Sequence, residues 1–165
     1  MTEFFVSGPH EVPLYRGRNG RIVRQEEGSN FFRKHPSLAR KRGCYVFAMR
    51  SGGGIKPAYV GKASKTFEQE CFTAHKLGKC NQVLVDYGSG TLVLVFFVCA
   101  KGGKSPTIKI RLLEDFLIQT AVSANEDLLN VKQTKKADWR IRGMIRSRPG
   151  KPSKAAKAAK QMLRL

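Results

Sequence analysis

Acidic side chains are scarce in this chain of 165 residues. Twelve Asp and Glu stand against 31 Lys and Arg, a formal charge of +19, so a polyanion is the expected partner. Long apolar runs are missing too. The longest, Leu92 to Ala100, is about half the ~20 residues of a membrane span, which excludes a spanning helix. Cysteine is sparse and shows no tight pair spacing: Cys44, Cys71, Cys80 and Cys99 exclude a disulfide scaffold and point to reduced thiols in a cytoplasmic setting. The amino terminus, Met-Thr-Glu-Phe-Phe-Val, lacks a basic stretch ahead of a long apolar one, so no secretory signal is read. No internal repeat is visible.

What is present suffices for one domain. The apolar share of 41% is above that of disordered chains, and a chain of this length buries roughly 70% of its unfolded surface. The charge is unevenly placed. Residues 1–42 carry nine basic and four acidic side chains, residues 43–130 ten and seven, and residues 131–165 twelve and one. The expected organisation is therefore a basic amino-terminal segment (1–42), a folded core (43–130) and a basic carboxyl-terminal extension (131–165) that binds nucleic acid.

The core reads as strand, strand, helix, strand, helix. Cys44 to Met49 is apolar on both faces, as in a strand of a covered sheet. Ser51-Gly-Gly-Gly54 turns the chain back through Ala58, Tyr59 and Val60, an antiparallel hairpin. Thr66 and Gln69 fit a capping box for a helix with Phe67, Cys71 and Ala74 on its apolar stripe, and Gly78 supplies a stop. Residues 83–87 are read as a strand. Thr91 to Cys99, apolar throughout, is expected at the centre of the sheet. Ser105-Pro106 opens a second helix reaching about Val122, Asn130 follows a short helical stretch, and Ser153 caps a last helix. The fold class is α/β, with a small, mostly antiparallel central sheet flanked by helices.

Glu114 stands out. At about 100° per residue it aligns with Ile110, Ile118 and Ala121, whereas Arg111, Asp115 and Gln119 form a polar face. A carboxylate on an apolar arc either binds a ligand or pairs with a basic residue, and spacing alone does not choose between them.

Gly43-Cys44-Tyr45 opens the first strand and Tyr59-Val60-Gly61-Lys62 closes the second. With Glu114 in Leu-Leu-Glu-Asp-Phe-Leu-Ile and Asn130 in Leu-Leu-Asn, the stretch 43–130 resembles the GIY-YIG nuclease family. The resemblance implies a divalent-metal-dependent DNA endonuclease that needs no small-molecule cofactor. Glu114 would be the protein ligand of Mg²⁺ or Mn²⁺, and Tyr45, Tyr59, Lys62, His75 and Asn130 would join it as catalytic residues. The chain departs from the family where the helix after the second tripeptide normally carries a phosphate-clamping Arg: it reads Phe67-Glu-Gln-Glu-Cys71. The missing charge is expected from elsewhere, from Lys62 first and from Lys76 or an amino-terminal Arg next. A structural zinc at Cys71, His75 and Cys80 is a further option, short of a fourth ligand.

Two basic stretches point to nucleic acid without the family. Arg16, Arg18, Arg21 and Arg24 surround Asn19-Gly20 as a basic hairpin. Lys135, Lys136, Trp139, Arg140 and Arg142 interleave charge with an aromatic ring, suited to counterion release and stacking.

Overall fold

The computed structural model describes residues 2–18, 20–100, 106–130 and 152–163. Lys135, Lys136, Trp139, Arg140 and Arg142, the Ser105 cap and Asn19 lie outside the described residues. The chain divides into two units, Met1–Thr134 and Lys135–Leu165.

In chain order the first unit contains β1 (Phe4–Glu11), β2 (Tyr15–Gly17), β3 (Gly20–Ile22), α1 (Gln25–Lys34), α2 (Pro36–Ala39), β4 (Gly43–Ser51) and β5 (Gly54–Ala63). It continues through α3 (Phe67–Glu70), α4 (Ala74–Tyr87), β6 (Thr91–Cys99) and α5 (Pro106–Ala124). The second unit holds α6 (Lys154–Leu163), where Ser153 Oγ accepts the Ala156 N–H at 3.1 Å as the sequence led us to expect.

Four strands form one antiparallel sheet in the order β1-β6-β4-β5. The apolar run of β6 is central, flanked by β1 and β4. Segment 1–42, read from its charge as a flank, supplies an edge strand of this sheet. It also supplies Phe31 and Phe32 of α1, both buried in the main core. Its alternation was hidden because only Phe4, Ser7 and His10 of the eight residues of β1 are partly buried, at a spacing of three and not two.

Each face of the sheet has its own core, as period-two alternation requires. Tyr45, Phe47, Met49, Leu92, Leu94 and Phe96 point to a core shared with α1, α3 and α4, and its aromatic rings meet edge-on. Cys44 and Val60 point the other way, under Ile110, Leu117, Ile118 and Ala121 of α5.

Several expectations fail in the core after β5. Gly78 does not end a helix; it sits exposed inside α4, which runs to Tyr87 with Gly88 as its C-cap. The cost of a helical glycine, about 1 kcal/mol, is outweighed by Cys80, Val83 and Leu84, buried at helical spacing. For the same reason residues 83–87 are helix and not strand. The first helix instead breaks earlier. Thr66 Oγ1 caps α3 by accepting the Gln69 N–H at 3.3 Å, and Thr73 then starts α4. Ala74 is thereby taken off the Phe67–Cys71 stripe and exposed. Residues 125–130 are not helical either: Leu129 donates its N–H to Ala58 O along the edge of β5.

Among the described residues no helix is long and apolar enough to cross a membrane.

The β1 strand also carries a titrating group. The His10 ring lies 4.4 Å from that of His35, and its Nε2 is 2.9 Å from Ser7 Oγ. Burial, then the nearby His35, lower its pKa below 6.5. The native state therefore holds fewer protons at His10 than the unfolded chain, and this contribution to stability is full above pH ~6.5 and lost as pH falls below it. Urea unfolding midpoints should drop between neutral and mildly acidic pH, and His10→Asn should reduce that slope. An unchanged slope would exclude His10 as its source.

Candidate functional site

The β5 edge of the sheet is where its two faces meet, and a cavity of about 450 Å³ lies there. Tyr59 reaches it from the face that carries the aromatic core, and Lys62, three residues on, lines it from the α5 side. The helix α4 adds His75, Lys76 and Lys79, and α5 adds Arg111, Glu114 and Asp115. Four Lys and Arg side chains thus face two carboxylates.

Glu114 is paired. Its Oε2 accepts from Lys62 Nζ at 2.6 Å, with the carboxylate side chain 16% exposed and the lysine 37%. Of the two outcomes for a carboxylate on an apolar arc, the salt bridge is present, and it stands inside the cavity. Lys76 Nζ donates to the Tyr59 hydroxyl and lies 4.6 Å from the centroid of the same ring. That phenol oxygen accepts from an ammonium while its own O–H proton remains free to be donated.

Lys62 and Lys76 both line the cavity, and no amino-terminal Arg is among its described lining residues. Sequence reasoning missed Lys79, Arg111 and Asp115. Arg111 and Asp115 were assigned to a solvent face, yet that face adjoins Glu114 on the wheel. Lys79 follows His75 by four residues and Lys76 by three, the spacing of helical neighbours, and was lost through the false stop at Gly78. Glu70, in the stretch Phe67-Glu-Gln-Glu-Cys71, accepts the Lys65 N–H at 2.5 Å and closes a turn.

Tyr45 does not reach the cavity, which corrects its expected place there. It is fully buried, its hydroxyl donates to Glu70 O at 3.4 Å, and burial pushes its phenol well above the usual range. Asn130 lines the cavity with its amide engaged by β5: its Oδ1 accepts the Val60 N–H and its Nδ2 donates to Val60 O, both at 2.8 Å. It continues the ladder of β5 by imitating a peptide.

The basic hairpin exists as β2 and β3, but half its arginines are committed. Arg21 donates to Gly90 O at 2.5 Å and to Gly88 O at 2.9 Å. Arg24 clamps Glu26 and Glu27 and lies 3.8 Å over the Tyr15 ring. Arg16 and Arg18 stay exposed.

Among the described residues no group of three or more His, Cys, Asp or Glu is placed to hold a metal ion. Cys71 and Cys80 are buried with thiols pushed upward by burial, while His75 is exposed, so the zinc arrangement does not form. A hard divalent ion needs less of the protein, since Mg²⁺ keeps several waters and takes one or two carboxylates. Glu114 fits that demand once phosphate oxygens share the site, because four cations repel a bare dication. No protein-family model matches the chain, and no curated protein or solved structure does either.

Proposed function

We propose that the chain is a divalent-metal-dependent DNA endonuclease of the kind its two tripeptides resemble, with its catalytic groups gathered at the β5 edge. One observation carries this reading: Tyr59, His75, Lys62, Lys76, Lys79, Arg111 and Glu114 line a single cavity. A cavity with that balance of charge suits a phosphodiester, whose negative charge grows as the bond breaks.

Lys62 and Lys76 would hold the phosphate oxygens, taking over the work of the absent helix Arg. The Tyr59 hydroxyl, fixed by Lys76, would orient the attacking water, and exposed His75 would exchange its proton with solvent. Glu114 would hold Mg²⁺ or Mn²⁺, which when bound supplies positive charge to the leaving oxygen. Arg16, Arg18 and the basic residues after Asn130 would extend the grip along the DNA by counterion release.

A second reading, a nucleic-acid-binding module without catalysis on a GIY-YIG-like fold, is favoured by the closed Lys62–Glu114 pair and the buried Tyr45. Purified protein with supercoiled plasmid and Mg²⁺ or Mn²⁺ separates the two. Nicking should occur and should fall about 100-fold or more in Glu114→Ala. Equal nicking by the variant would place the activity elsewhere. Salt-sensitive binding without nicking in either protein would establish the binding module.

A further inference from the structure

The α5 helix is apolar on two opposite sides. Ile110, Leu117, Ile118 and Ala121 are buried against the sheet. On the outer side Ile108, Leu112 and Phe116 are 60%, 55% and 63% exposed, one above another at i, i+4 and i+8. A surface helix ordinarily turns one apolar face to the core and a polar one to water. Scattered exposed apolar residues need no explanation, but a continuous stripe does.

The charge on α5 narrows the choice of partner. It carries Lys109 and Arg111 against Glu114 and Asp115, a net of zero in a chain of +19. Phosphate or an anionic lipid surface would be drawn to the basic surfaces of the molecule and away from this neutral, apolar one. Two copies of a +19 chain repel each other over most of their surface, and α5 adds no net charge to that repulsion.

The stripe is also symmetric about its own middle. An antiparallel two-fold pairing centred on Leu112 brings residue 112 + k beside residue 112 − k of the other copy. Leu112 then meets Leu112, and Ile108 shares a layer with Phe116. This is the self-complementarity an isologous contact requires. We infer that the outer face of α5 is a homodimer interface, with a second copy of this chain as its occupant. Three apolar side chains per copy make a small seam, so the dimer is weak and forms with rising concentration.

The symmetry has a further geometric effect. Such a two-fold lies perpendicular to both helices and to the line joining them, so it keeps left and right across the seam. Arg111 and Asp115 flank the stripe on one side and line the cavity. Both cavities therefore open on the same side of the dimer, where one polyanion can meet both. The dimer itself does not rest on the nuclease reading, and its test contains no cleavage assay.

Sedimentation velocity of the full chain over a wide concentration range should show monomer passing to dimer. Leu112→Lys should abolish the dimer while leaving circular dichroism unchanged, since the site is exposed. Leu112→Cys should form an intermolecular disulfide on mild oxidation, because it sits at the two-fold and the native cysteines are buried. A wild-type chain that stays monomeric at the highest concentration would overturn the inference. So would a dimer that survives Leu112→Lys and fails to cross-link through Leu112→Cys, which would place the contact on another face.

Discussion

Gly43→Ala should leave the chain without a stable native state. Gly43 holds φ +148°, and an added Cβ would stand 2.0 Å from Phe97 O and 3.1 Å from Cys99 N. Those atoms belong to the central strand, which is laddered to β4 and β1 and cannot retreat. Backbone overlap of this kind exceeds the ordinary ~1–3 kcal/mol of overpacking, and backbone that cannot retreat raises the loss toward the ~5–15 kcal/mol that holds a domain folded. Urea unfolding or soluble yield would read it, and a variant within about 1 kcal/mol of wild type would show the contact to be misjudged.

Gly61→Ala is the graded companion. Its Cβ would come within 2.4–2.7 Å of the Tyr45 ring and hydroxyl, directly across the hairpin. Tyr45→Val should recover part of that loss, as coupled neighbours do. Gly78→Ala meets nothing within 4 Å and should add about 0.5–1 kcal/mol by lowering the entropy of the unfolded chain.

Lys62→Ala is expected to separate chemistry from affinity. If Lys62 places positive charge where the phosphate is cut, its loss should lower plasmid nicking about 100-fold. Binding at matched salt should weaken no more than about tenfold, because one of several phosphate contacts is removed. The fold should tolerate the change, since the lysine is 37% exposed and a part-exposed ion pair contributes roughly 0–1 kcal/mol. Unchanged nicking would make Lys62 a surface residue that happens to reach Glu114.

The strands were legible where the sequence is least ambiguous. Cys44–Met49 and Thr91–Cys99 are apolar on both faces, and the triple glycine between β4 and β5 admits little but a turn. Glu114 was legible because a carboxylate breaks an apolar arc, and a broken pattern is information. Lys79 and Arg111 were not, because a lysine or arginine on a helix looks alike whether it faces water or a cavity. Tyr45 missed its expected place for a different reason, and Asn130 reached the cavity with its amide already engaged. Both belong to the motif, but tertiary packing gives one to Gly61 as a cover and the other to Val60 as a partner. What the two tripeptides record in this chain is first a packing unit, with Gly61 present because Tyr45 needs its space.

Asn130 has one more effect, on what the sheet can do to its neighbours. An uncovered edge strand offers its peptide groups to any extended chain, the route by which sheets aggregate. Leu129 and Asn130 occupy Ala58 O and both peptide groups of Val60. At the opposite edge, the ladder of β1 slips between Ser7 and His10, and Pro9 has no N–H to give. Strand addition is thus obstructed at both ends of the sheet. Asn130→Ala should keep the fold but expose β5, and its first symptom on storage should be insoluble, strand-rich material.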